Sequence, residues 1–150
     1  MSSALPDLSE PIRTALLEAV AISSGLGVWQ GDPAVFTRVP VPADAPYPMS
    51  VVSADVAITD DDYLNSEMPI VVRDVLFIGQ LGAPGADHYR VVEDMARQAR
   101  ALFHNKRFAI SVPGFHVRDL RCSGPIPGPT DTVDEVSRVV TLVAQLQALP

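Results

Sequence analysis

The chain has 150 residues, with 18 acids against 11 bases for a formal net charge of −7, and a single cysteine, Cys122. That length predicts one domain able to bury about 70% of the surface its unfolded chain would expose, and a lone cysteine excludes an internal disulfide or a cysteine-rich zinc cluster. The acid excess argues against a free-standing nucleic-acid binder, whose affinity comes largely from Lys and Arg on phosphates.

The N-terminal run Met1-Ser2-Ser3-Ala4-Leu5-Pro6-Asp7 has neither the basic start nor the apolar stretch of a signal peptide. No apolar segment approaches the ~20 residues that a membrane helix needs, so a soluble, unexported chain is expected, with residues 1–8 as a flexible terminus. Residues 9–23 predict a first helix: Ile12, Leu16, Ala19 and Val20 share helical spacing, Ser9 suits the N-cap, Pro11 sits in the first turn, and Gly25 and Gly27 stop it. Residues 35–39 predict a short strand. The proline-rich residues 40–48 predict an extended surface connector, since each proline fixes φ and removes a ladder donor.

Residues 49–58 and 69–80 predict two strands paired as a long hairpin across the acidic stretch Thr59-Asp60-Asp61-Asp62-Tyr63-Leu64-Asn65-Ser66-Glu67. In the second strand Ile70, Val72, Leu76 and Ile78 alternate with Val71, Val75 and Phe77, so both faces are largely apolar and a central strand is expected. Arg73 and Asp74 interrupt it as candidates for cross-strand pairing. A helix follows from Asp87, as cap, to residue 103, burying Val92, Met95, Ala96, Ala99, Leu102 and Phe103 and wetting Arg90, Glu93, Asp94, Arg97 and Arg100. Residues 108–112 and 115–123 predict short strands about a Pro113-Gly114 turn, and the Gly- and Pro-rich residues 124–129 predict a loop. Residues 132–149 carry both periods; the density of Val and Thr favours a strand over a helix. The expected fold is α+β: a mixed, mainly antiparallel β-sheet with a long β-hairpin, flanked by two α-helices, in a single domain over residues 1–150.

Charge is unevenly spread. Between residues 39 and 72 lie Asp44, Asp55, Asp60, Asp61, Asp62 and Glu67 with no Lys or Arg, whereas residues 88–121 hold Arg90, Arg97, Arg100, Lys106, Arg107, Arg118 and Arg121 against Glu93, Asp94 and Asp119. Ordinary solvated surface accounts for both. The sharper reading is an interface made by Asp55, Asp60, Asp61, Asp62 and Glu67 of one copy against Arg90, Arg97, Arg100, Arg118 and Arg121 of the next, a heterologous contact that makes a ring if its rotation closes.

Local patterns of catalysis are missing. Gly79, Gly82 and Gly85 match neither phosphate-loop spacing, and Asp87 would repel a phosphate. His88, His104 and His116 lack metal-ligand spacing, Asp60-Asp61-Asp62 lacks the turn glycine of a calcium loop, and no serine lies in a nucleophile elbow. No cofactor, metal or catalytic residue is expected, and enzymatic function is disfavoured.

The order of elements, with Ala45-Pro46-Tyr47-Pro48 leading into an apolar strand, the acidic hairpin, Phe77-Ile78, and the strand Phe115-His116-Val117-Arg118-Asp119-Leu120, resembles the tail-terminator and tail-completion family of long-tailed phages from about Pro11 to Leu149. Cys122 and residues 124–129 have no counterpart in that pattern. The resemblance implies a virion protein that forms a homohexameric ring. Such a ring caps the tail tube, stops its polymerisation, and contacts the major tail tube protein on one side and the head–tail connector or stopper on the other. Genomic DNA would pass through an acidic lumen without sequence-specific binding, Asp60 to Asp62 either lining the channel or docking a neighbour. The alternatives are a neck adaptor or stopper and, from a different class, a small cytosolic ligand-binding domain or enzyme using the turn at 79–87.

Overall fold

In the computed structural model, residues 7–38, 40–61, 68–81, 88–128 and 134–149 are described, with the backbone alone for 54–61 and 68. The elements are α1 (Ser9–Glu18), α2 (Val20–Ser23), β1 (Val28–Trp29), β2 (Asp32–Pro33), β3 (Val35–Phe36), β4 (Met49–Asp61), β5 (Met68–Gln80), α3 (Tyr89–Phe103), β6 (Phe115–Pro127) and β7 (Glu135–Ala148), with a 3-10 turn at Arg107–Ala109. β3 to β7 form one sheet in the order β3-β4-β5-β7-β6. Only the β3–β4 pairing is parallel, so the mixed, mainly antiparallel α+β fold expected from the sequence is the one found.

β5 lies at the middle of the sheet, as its apolar run requires. Val71, Val75 and Phe77 are fully buried beneath the helices, while Ile70, Val72, Leu76 and Ile78 on the other face are only half-buried. The helical face carries the main core, which holds Leu8, Ile12 and Leu16 at and before α1 together with Val92, Ala96 and Phe103 of α3. α3 buries its expected stripe, except that Leu102 is half-buried; Glu93, placed on the wet side, bonds Arg138 at 2.6 Å.

Several expectations give way to packing. Leu8 has no exposed surface, so a flexible terminus does not extend to it. Asp7, not Ser9, closes the start of α1: its Oδ1 accepts the Ser9 backbone N–H at 2.9 Å. The single helix expected over 9–23 breaks at an extended Ala19, which places Ile22 in the core and leaves Val20 74% exposed. A hairpin that the sequence reading lacked, β1–β2, turns through Gln30 and Gly31, both at positive φ. The strand expected over 35–39 is confined to Val35 and Phe36. Beyond it, the proline-rich connector folds inward, so that Val41, Ala45 and Tyr47 join Trp29 against Phe36, Met49 and Val51 on the far face of the sheet. Gly27 makes this possible, since a Cβ there would stand 2.8 Å from Pro46 Cβ.

The strand expected at 108–112 is instead the 3-10 turn and an irregular segment that drops Ile110 and Val112 into the core. β6 continues to Pro127 where a loop was expected, because it is the edge strand: its prolines lie where no further strand demands an N–H, and an irregular register between Ser123 and Ile126 absorbs the bend. The C-terminal run is a strand, as favoured. Asp87 and the acids Asp62 and Glu67 lie outside the described residues.

The N-terminus of α3 sits against β5 at Gly79, where an added Cβ would approach His88 Cβ to 2.5 Å and Val92 Cγ2 to 2.6 Å. Gly79→Ala is expected to lower stability by about 1–3 kcal/mol through overpacking, read as a shift of the denaturation midpoint at unchanged slope.

Candidate assembly surface

The β4–β5 ladder runs from Met49 opposite Ile78 to Asp61 opposite Met68. Pairing of β5 with β7 begins only at Ile70 opposite Gln145, so the last two rungs, bearing Asp60 and Asp61, project past the neighbouring strand. β3 covers the other edge of β4 at Ser50 and Val51 alone, and the rest of that edge has no strand partner among the described residues. Asp55 stands opposite Arg73 where the register is irregular. Asp55, Asp60 and Asp61 are thus gathered on the part of β4 that runs beyond its pairing with β3.

Arg73 and Asp74 point to opposite faces, each with its own partner. Arg73 is buried on the helical side, 4.0 Å from the Asp7 carboxylate, and the Asp74 carboxylate accepts the Thr141 hydroxyl across the strands at 2.7 Å.

The basic candidates do not form a single face. Arg90, Arg97 and Arg100 are exposed on α3; Arg97 pairs with Glu93 at 3.4 Å, and Arg100 donates to the Cys122 carbonyl at 3.4 Å. Arg121 lies on the opposite face of the sheet and pairs with Asp119 at 3.0 Å. Arg118 lies on edge strand β6 and donates to Gln147 at 3.2 Å.

A different basic site is better defined. Between the end of α3, the 3-10 turn and β6 runs a groove of about 600 Å³ bordered by Leu102, Lys106, Arg107, Phe108, Arg118 and Asp119. Phe108 is 81% exposed at its lip, with the Arg107 guanidinium stacked 4.8 Å from its ring centre. The expected strand at 108–112 hid this site by assigning Phe108 an ordinary place in a ladder. The signal in the sequence was the run Lys106-Arg107-Phe108 directly after a helix end.

His116 is exposed on β6, whereas the other two histidines serve the fold. His88 Nδ1 accepts the Gln80 N–H at 3.0 Å, and His104 Nδ1 accepts the Cys122 N–H at 3.2 Å, so α3 is pinned to a strand at each end. Together with Arg100, His104 satisfies both backbone groups of Cys122 on the outer edge of β6, which protects that edge. Among the described residues no group of His, Cys, Asp or Glu could hold a metal ion, and no helix is long and apolar enough to cross a membrane.

Burial raises the Cys122 thiol from the ordinary 9.0 to about 12, with nearby Arg100 opposing only in part. The folded thiol keeps its proton where the unfolded one loses it, so this group withdraws stability as pH rises from about 9 towards 12. Native protein at pH 8 is expected to resist a thiol reagent that modifies the denatured chain at once; equally fast labelling of both would contradict the burial.

No family model and no curated protein matches the chain. Among solved structures, a chain from "Virion of native gene transfer agent (GTA) particle" aligns with a TM-score of 0.72 over 94% of this chain and 95% of that one, at 11% sequence identity. The two chains share a fold. The likeness spans nearly the whole of both.

Proposed function

We propose that the chain is a structural virion protein acting as a tail terminator: a ring that caps the tail tube, stops its growth and joins the tail to the head. The observation that carries this reading is the whole-length likeness to a chain of a gene transfer agent virion. The resemblance of the sequence to tail-completion proteins supplies the position within the particle. In this reading the protein works by recognition, with no bond made or broken. Its partners are further copies of itself, the tube protein below and the connector or stopper above, and DNA crosses the lumen unread.

The edge of β4 beyond Val51, which has no strand partner among the described residues, and the projecting acidic hairpin suit contact between subunits, because an open strand edge and gathered like charges favour a partner that meets them. Negative-stain imaging and light scattering of the purified chain test the assembly. Closed rings of uniform diameter are expected; a monomer at high protein concentration would count against it.

A further inference from the structure

We propose that the Phe108 groove is the docking site for the β4–β5 hairpin of a second copy of this chain, an inference that rests on the ring reading and gives it a specific contact. Three observations support this occupant. Three cations of the groove, Lys106, Arg107 and Arg118, face one carboxylate in its lining, Asp119, which Arg121 already engages: Arg107 stacks on Phe108, Lys106 donates to the Ala101 carbonyl and Arg118 to Gln147, and none of the three has a carboxylate partner among the described residues. The hairpin is its complement, with Asp60 and Asp61 on the projecting rungs and Asp62 and Glu67 following in sequence, without a Lys or Arg between them.

Placement is the third. The sheet order separates β4 from β6 by β5 and β7, so hairpin and groove are distinct patches, both at the end of the sheet where Ile70 stands opposite Gln145 and Gln145 opposite Asp119. A head-to-tail contact requires two unlike, complementary patches that do not overlap, and its repetition makes a ring where the rotation closes. Phe108 and Arg107 have the composition of an interface anchor, an exposed aromatic ring with a guanidinium stacked on it at the lip of the groove, and the surrounding charge steers the approach.

The test is sedimentation of the full chain and its variants, with circular dichroism confirming the fold. Arg107→Glu with Phe108→Ser is expected to raise the subunit dissociation constant at least about tenfold, as is Asp60→Lys with Asp61→Lys. Pairing Arg107→Glu with Asp61→Lys should recover part of the loss, because the exchanged charges attract again. Rings that survive the groove substitutions would overturn this docking while leaving the ring reading in place. Wild-type protein that never assembles would remove both.

Discussion

Phe77→Ala is expected to cost about 3–5 kcal/mol, among the largest effects of a single truncation in this fold. The ring is fully buried on the helical face of the central strand, amid Val71, Val75 and the α3 stripe. Removing it forfeits the transfer energy of the side chain and leaves a cavity between two layers that are tied together on both sides. A domain of this class has roughly 5–15 kcal/mol in total, so a third or more would be lost and the melting temperature should fall by roughly 10 °C or more. Phe108→Ala offers the internal contrast. The same residue type, 81% exposed at the groove, should change monomer stability by no more than about 0.5 kcal/mol. Equal losses at the two positions would mean that Phe108 is a core residue and the groove is closed.

Glu93→Ala is expected to be the second large loss. Its carboxylate bonds the Arg138 Nε at 2.6 Å, and Arg138 is only 8% exposed, with its guanidinium 5.0 Å from the Tyr89 ring centre and an N–H given to the Ser137 carbonyl at 2.7 Å. Burial opposes the Arg138 charge, but the Glu93 hydrogen bond and Tyr89 more than offset it, so its pKa lies above the ordinary arginine value. Deleting the carboxylate leaves a buried cation short of its counter-charge. The expected cost is about 2–3 kcal/mol, below the ~3–5 kcal/mol of a fully enclosed pair because 25% of the Glu93 side chain remains in water. Replacing both partners, Glu93→Ala with Arg138→Met, should recover much of the loss by removing the stranded charge. Denaturant melts of the two singles and the double close this cycle; additive losses would deny the coupling.

The parts of the fold that could be read from the sequence are those in which a single period dominates. The apolar stripe of α3 and the two-sided apolar run of β5 announce a helix across a sheet and a central strand, and both are found there. The C-terminal strand was harder, because its valines fit both periods, and β-branching decided it. What the sequence concealed depends on distant contacts. Ala19 has no local reason to break a helix; the break follows from bringing Ile22 into the core. The prolines of 124–127 look incompatible with a strand until β6 is known to be an edge.

The site followed the same pattern. The acids that can be placed, Asp55, Asp60 and Asp61, do fall on one strand, because their grouping is contiguous in sequence. The basic residues come from a helix, a turn and a strand, and only tertiary structure reveals that Arg121 faces away from Arg90, Arg97 and Arg100 while Arg107 and Arg118 flank Phe108.

The central claim, a tail-completing role, is tested most directly by the length of tails in particles produced without this chain. A terminator's loss predicts tubes of irregular, extended length that remain separate from filled heads. Tubes of normal, uniform length without the chain would contradict it.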